Sequence, residues 1–273
     1  MGEAVLLPGG VLSRVFLHRM MVPTGTHSKR RLSKLEETRT MGRLQQPRKP
    51  LIARTLPPYT RGEEIFNMVS HIVGAAFGVV VLVLCAVFAA LHHNPAGVIS
   101  GVIYAVSMIV CYTISSVYHG LNPNKPRKEH GKKVMQVLDH CDIYFLIAGT
   151  YTPVAFTGMR DAYPKTALIT LGIVWGICAL GTVFTAIDFH KYAVLSYSCY
   201  FVAGWSVLAA IPAMWHTYGT AFLVLFVVGG AVYTLGMIFF SLQKKYKYCH
   251  SIFHLFILGG SVLQFIPIFM YCI

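Results

Sequence analysis

The chain contains 273 residues, of which 55% are hydrophobic and only 12% are charged, and its mean hydropathy is +0.60. This composition excludes an ordinary soluble domain and predicts that most of the chain has lipid as its solvent. The formal net charge is +13, but 12 of the 23 Lys and Arg side chains lie in residues 1–64 and the others fall mainly in short loops between apolar runs. That distribution argues against a nucleic-acid-binding face and favours contact with anionic membrane lipids.

Residues 1–62 are basic and contain no apolar stretch long enough to cross a bilayer. We predict a disordered N-terminal extension here and one membrane domain over residues 63–273. The Arg-rich, acid-poor composition also suits an organelle transit peptide. The internal methionines Met20, Met21 and Met41 leave open a start site within this segment.

Seven apolar stretches follow, each of about the 20 residues that a helix needs to cross the hydrocarbon core. They cover Ile65–Leu91, Gly97–Tyr118, Met135–Phe156, Thr166–Phe184, Ala193–Met214, Thr220–Leu242 and Ser251–Ile273. Each stretch is bounded by polar residues or by Pro and Gly. The sequence therefore predicts an all-α membrane protein with a bundle of seven transmembrane helices.

Basic residues in the short loops predict the orientation, because positively charged loops stay in the cytoplasm. With the N-terminus inside, the inner loops carry nine Lys and Arg residues and the outer loops carry two, Arg160 and Lys165. We therefore predict a cytoplasmic N-terminus and an external C-terminus.

Polar residues mark the start of predicted span 1. Glu64, Asn67 and His71 follow one another at steps of three and four, which puts them on one helical face. Ionisable groups at membrane depth are costly and usually face the bundle interior, so these residues are candidates for a polar site. The adjacent Glu63 can instead be an acid that stabilises the helix N-terminus.

Histidines mark two further span ends. Ser115 and His119 end span 2, and His250 and His254 begin span 7, each pair at the i, i+4 spacing. This spacing lets two imidazoles of one helix reach one cation, as in helical zinc motifs. Taken singly, the serine can bond its own helix carbonyl and the terminal histidine can lie at the lipid headgroups.

Span 3 begins with two carboxylates one turn apart, Asp139 and Asp142, and ends in the run Gly-Thr-Tyr-Thr-Pro. The positive end of a helix dipole can stabilise one carboxylate at this position more readily than two. The seven cysteines show no CxxC spacing and are interpreted as small buried residues, although Cys141 and Cys249 lie beside histidines and leave thiolate ligation open.

The predicted topology brings all four polar groups to the cytoplasmic ends of their spans. Three nitrogen ligands would then be available from His119, His250 and His254. A tetrahedral zinc ion with three protein ligands keeps its fourth position for water, which is typical of catalytic sites.

These motifs resemble the haemolysin III and progestin/adipoQ receptor (PAQR) superfamily of seven-span membrane proteins. The resemblance covers residues 63–273 and is greatest to the bacterial haemolysin III branch. It rests on Glu64-x2-Asn67-x3-His71, Ser115-x3-His119, Leu138-Asp139-His140, Ala148-Gly149-Thr150-Tyr151-Thr152-Pro153 and His250-x3-His254.

The resemblance implies that His119, His250 and His254 bind Zn2+, that Asp139 hydrogen-bonds the zinc-bound water, and that Ser115 lies nearby. It also implies an alkaline-ceramidase-like hydrolysis of membrane lipid amides or esters, with Asp139 and Ser115 in catalytic roles. The alternative is a non-enzymatic regulator of lipid homeostasis with structural zinc, and a pore-forming cytolysin fits less well. We expect an integral protein of the bacterial inner membrane whose partners are membrane lipids and not nucleic acid.

Overall fold

The computed structural model describes residues 47–122 and 126–273, together with Gly42. All regular structure in these residues is helical. A short 3₁₀ turn at Leu51–Ala53 precedes eight α-helices: α1 Arg61–Leu91, α2 Pro95–Gly120, α3 Pro126–Phe156, α4 Gly158–Ala162, α5 Pro164–Asp188, α6 Ala193–Gly204, α7 Val207–Leu242 and α8 Cys249–Cys272.

Helices that are neighbours along the chain are also neighbours in the bundle. Helix α1 packs on α2, α2 on α3, α3 on α5 and α7 on α8, and α8 also contacts α1. This last contact brings the last helix beside the first, which itself packs on α2. The starts of α1 and α8 and the end of α2 can therefore share one site.

The bundle has a membrane-facing surface. In the part of the chain that the structure describes, five segments are long and apolar enough to cross a membrane: α1, α2, α5, α8 and the 50-residue stretch Ala193–Leu242. Large hydrophobic side chains on the outer faces are exposed, for example Val83 at 55% and Leu180 at 59%. Such exposure is expected where lipid replaces water as the solvent. The structure is thus an all-α membrane bundle.

The count of seven spans remains a prediction. It requires α3 to be a span, although Asp139 and Asp142 interrupt the apolar character of that helix. It also requires Ala193–Leu242 to be divided at Gly219, where the backbone leaves the helical conformation with φ 83° and ψ 178°. The locations of the two termini relative to the membrane likewise remain predictions.

The compact unit begins at Arg48, earlier than the boundary at residue 63 that the sequence suggested. Arg54 is buried and donates a hydrogen bond of 2.8 Å to the carbonyl of Ile187. Lys133 donates one of 2.8 Å to the carbonyl of Ile52. These bonds hold part of the predicted extension against the helices. The disorder, transit-peptide and start-site interpretations otherwise concern residues that lie outside the described ones.

Candidate metal centre

The start of α1 is fixed by a capping box, in which Thr60 and Glu63 satisfy each other's backbone N–H groups. Oε1 of Glu63 also accepts a hydrogen bond of 2.7 Å from the backbone N–H of Tyr248, immediately before α8. Glu63 therefore has the structural role that the sequence left open. It fastens the first and last helices together at the end where the histidines lie.

Three buried histidines meet at that end: His119 from the last turn of α2, and His250 and His254 from the first two turns of α8. We call these three residues the histidine cluster. Nε2 of His250 lies 3.3 Å from Nε2 of His119 and 3.1 Å from Nε2 of His254. Within the described residues this is the group of His, Cys, Asp and Glu side chains that could hold a metal ion, and it contains no cysteine.

The nitrogen separations fit a shared cation. Two ligands at 2.0–2.1 Å from a tetrahedral zinc ion are about 3.3 Å apart. Without a cation, Nε2 of His250 offers either one proton or one lone pair, so it cannot satisfy two neighbouring lone pairs at once. The donor set is neutral nitrogen in a buried site, which suits a transition-metal ion better than Ca²⁺ or Mg²⁺.

Glu64 orients His119 from the opposite side of its ring. Oε2 of Glu64 accepts a hydrogen bond of 2.6 Å from Nδ1 of His119, and Oε1 pairs with Nζ of Lys132 at 2.6 Å. Lys132 is buried and also donates to the carbonyl of Leu121 at 2.9 Å. A carboxylate on Nδ1 fixes the tautomer with the Nε2 lone pair directed into the histidine cluster, as is usual for metal-binding histidines.

Two further rings cover the histidine cluster. The ring of Tyr59 stacks on His250 with centroids 4.9 Å apart, and its hydroxyl donates to Oε1 of Gln243 at 2.6 Å. Burial, together with the nearby carboxylates of Asp139 and Glu64, raises the pKa of the Tyr59 hydroxyl, which therefore stays protonated. His71 stacks on His254 with centroids 3.7 Å apart. His71 is thus a packing neighbour of the histidine cluster and not one of its three members.

Ser115 and Asp139 lie beside the histidine cluster. Both line a cavity of about 30 Å³ that His250 and His254 also line, and we call it the inner cavity. It has room for about one or two water molecules. The buried hydroxyl of Ser115 has no hydrogen-bond partner within the described residues. The two predicted catalytic side chains therefore face the same small space as two of the three predicted ligands.

Asn67 is the remaining predicted site residue. It is fully buried, and its side-chain amide has no hydrogen-bond partner among the described residues. It is not among the residues that line the inner cavity.

Sequence reasoning missed Lys132 and Tyr59. Lys132 was counted as a loop charge for the topology, but α3 already begins at Pro126, so the lysine lies in a helix and points inward. Lys133 is buried as well. Without these two, the predicted inner loops still carry about seven basic residues against two, so the orientation argument stands. Tyr59 lay outside every predicted span and carried no motif.

Comparisons with known proteins identify the family of this chain. The family model described as haemolysin-III related matches residues 59–265. The Hemolysin-3 homolog of Bacillus subtilis (strain 168) is 33% identical over 215 residues, which is 79% of this chain and 97% of that protein. Hemolysin-3 of Bacillus cereus is 33% identical over 209 residues, 77% of this chain and 91% of that protein. The monocyte to macrophage differentiation factor of Homo sapiens is 26% identical over 169 residues, 62% and 68% of the two chains.

The matched region contains the histidine cluster, Glu64, Lys132 and the apolar helices. The chain is an integral membrane protein, and its bacterial relatives are consistent with the predicted inner membrane. With the motifs in their predicted order and the family model covering most of the chain, this protein belongs to the haemolysin III family, within the superfamily that also includes the progestin and adipoQ receptors.

Proposed function

We propose that the histidine cluster binds zinc and that the protein is a zinc-dependent hydrolase of membrane lipid amides or esters. The observation that carries this proposal is the convergence of three buried Nε2 atoms at 3.1 and 3.3 Å, with Nδ1 of His119 held by Glu64. Three protein ligands leave a coordination position for a reactant, whereas structural zinc sites usually have four protein ligands.

The surrounding residues suit hydrolysis. When bound, zinc supplies a Lewis acid that polarises a carbonyl and makes water nucleophilic near neutral pH. Asp139 lines the inner cavity and is only partly buried, so its carboxylate can accept a proton from water there. Ser115 can donate a hydrogen bond to a carbonyl in the same space. Water adds to the acyl carbon, the C–N or C–O bond breaks, and Asp139 passes the proton to the departing nitrogen or oxygen.

Hydrolysis with a metal-content control tests the proposal. Purified protein in nanodiscs is incubated with a lipid amide and a lipid ester, and zinc per chain is measured on the same sample. We expect wild-type protein to release fatty acid, and Asp139→Asn to lose this activity while it keeps most of its zinc. Asp161→Asn is the matched control, because Asp161 is exposed and its ion-pair partner among the described residues is its neighbour Arg160 at 2.9 Å.

The main alternative is a regulator of lipid homeostasis in which the metal only joins helices. This alternative is supported by the contacts that join three helices near the histidine cluster. Glu64 of α1 pairs with His119 of α2 and with Lys132 of α3. Zinc-loaded wild-type protein that releases no fatty acid from either lipid would favour this regulator over the hydrolase. Two relatives carry the name Hemolysin-3, which refers to the lysis of blood cells. A change in membrane lipids would account for such lysis without a secreted pore.

A further inference from the structure

A larger cavity leads from the histidine cluster toward the loop between α7 and α8. Its volume is about 420 Å³, and we call it the entrance cavity. His250 and Asp139 line it at the site, and Lys244, Lys245 and Lys247 line it on the loop. Because Asp139 and His250 line both this cavity and the inner cavity, the two spaces adjoin at the proposed reaction centre.

The loop side of the entrance cavity is positively charged. All three lysines are exposed, and none makes an ion pair with a carboxylate in residues 47–122 or 126–273. The lining also holds two carboxylates, Glu63 and Asp139, which the three lysines outnumber by one, so positive charge is in excess. Glu63 interacts electrostatically with Lys247 and accepts hydrogen bonds from the Thr60 and Tyr248 N–H groups, and Asp139 lies at the reaction centre. A lysine near a membrane surface attracts an anionic headgroup by about 1 kcal/mol.

A third space adjoins the inner cavity. This groove of about 460 Å³ lies between α2, α3 and α5, and we call it the lipid-facing groove. Its lining is almost wholly apolar and includes Ile114, Phe145 and Trp175. Asp142 lines both the groove and the inner cavity, so the inner cavity adjoins both of the larger spaces.

We propose that the substrate is an anionic lipid whose headgroup lies among Lys244, Lys245 and Lys247 and whose acyl chain occupies the lipid-facing groove. This inference rests on the proposed function, because it places the scissile carbonyl at the inner cavity. An apolar groove and a loop with an excess of positive charge match the two ends of such a molecule. A neutral lipid amide would leave that excess of positive charge without a counter-charge.

Lipid binding tests the headgroup assignment without any need for turnover. Phosphatidylglycerol and phosphatidylcholine of equal chain length are titrated against the purified protein in detergent, and bound lipid is counted by native mass spectrometry. We expect wild-type protein to prefer phosphatidylglycerol. The triple Lys244→Gln/Lys245→Gln/Lys247→Gln variant should bind it roughly 100-fold more weakly, given three interactions of about 1 kcal/mol. The triple Lys→Arg variant should restore binding, and Arg160→Gln/Lys165→Gln should change nothing.

Two matched substitutions test the proposed position of the acyl chain. Ala179 is exposed on α5 and lines the lipid-facing groove, whereas Ala186 is exposed on the same helix, two turns further on, and does not line it. Ala179→Trp should therefore weaken phosphatidylglycerol binding, and Ala186→Trp should not. Glycerol 1-phosphate, which has the charge but no chain, should bind equally weakly to both variants and to wild type.

Three results would overturn the inference: equal binding of the two lipids to wild type, a triple Gln variant with unchanged affinity, or tight binding of glycerol 1-phosphate alone. Each is separable from failure of the hydrolase proposal. If the protein prefers phosphatidylglycerol but releases no fatty acid, the proposed lipid-binding site is supported and the hydrolase proposal is contradicted.

Discussion

His119 is the residue on which most interactions of the site converge. Its Nε2 faces His250, its Nδ1 is held by Glu64, and Lys132 holds Glu64 in turn. The i, i+4 spacings in the sequence indicated which histidines share a face. They did not indicate the ion pair between Glu64 and Lys132, which joins residues 68 positions apart on two helices, α1 and α3, that both pack on α2.

Glu64→Gln should lower the metal affinity by about 10–100-fold without emptying the site, because partners that orient a ligand typically have effects of this size. Glu129→Gln is the matched control, since Glu129 is half-exposed and forms its ion pair within the described part of the chain with Lys133. The measurement is competition with a chelator of known affinity. Equal affinities in the two variants would show that the bond to Nδ1 of His119 does not orient the ligand.

Lys132→Met should destabilise the protein by about 3 kcal/mol, because it leaves the mostly buried Glu64 carboxylate without its counter-charge. Lys133→Met should cost only about 1 kcal/mol, since it breaks a bond to a carbonyl and an ion pair with a half-exposed acid. Unfolding by SDS titration in mixed micelles measures both. The reverse order of the two losses would contradict the charge network.

At the scale of elements, the apolar stretches predicted the cores of the helices more accurately than their ends. Helix α3 begins nine residues before the predicted span Met135–Phe156, since charged residues that cannot enter lipid can still continue a helix beyond it. Conversely, Ala193–Leu242 is nearly continuous helix, interrupted only briefly between α6 and α7 and again at Gly219.

Gly219 adopts a φ of 83°, which strains any residue with a Cβ atom. Gly219→Ala should cost about 1–3 kcal/mol through its backbone alone, because nothing lies within 4 Å of a Cβ at that position. Gly176→Ala in α5 is the control: it also meets nothing within 4 Å but lies in regular helix, so it should be neutral or slightly stabilising. Equal stability changes in thermal unfolding would mean that the break at Gly219 is not required.

At the scale of the whole molecule, the sequence alone predicted the membrane bundle and the family. The apolar composition is specific to membrane proteins, and the separated motifs are specific to this superfamily. It did not show that residues 48–60 pack on the helices, because bonds such as that from Arg54 to the Ile187 carbonyl leave no periodic pattern.

The seven-span topology predicts that the two termini lie on opposite sides of the membrane. A reporter that is active only outside the cytoplasm should be active when fused after Ile273 and inactive when fused before residue 47. Activity of both fusions, or of neither, would place the termini on one side and require an even number of spans.

Deletion of residues 1–47 should leave an inserted, metal-binding protein, because the compact unit begins at Arg48. Deletion of residues 1–60 should lower stability, since it also removes Arg54 and the Tyr59 ring that stacks on His250. Thermal unfolding of both truncations in detergent checks this. If both truncations matched the full chain, the packing of residues 48–60 would contribute nothing to stability.

The central claim is that three histidines, and only these three, hold a metal ion inside the membrane bundle. Elemental analysis of purified wild-type protein and of His119→Ala, His250→Ala, His254→Ala and His71→Phe tests it directly. We expect about one zinc per chain in the wild type and in His71→Phe, whose ring can still stack on His254, and almost none in the three alanine variants, because two nitrogens hold zinc weakly against competing ligands. Full zinc occupancy in His119→Ala, or its loss in a folded His71→Phe, would contradict the three-histidine site.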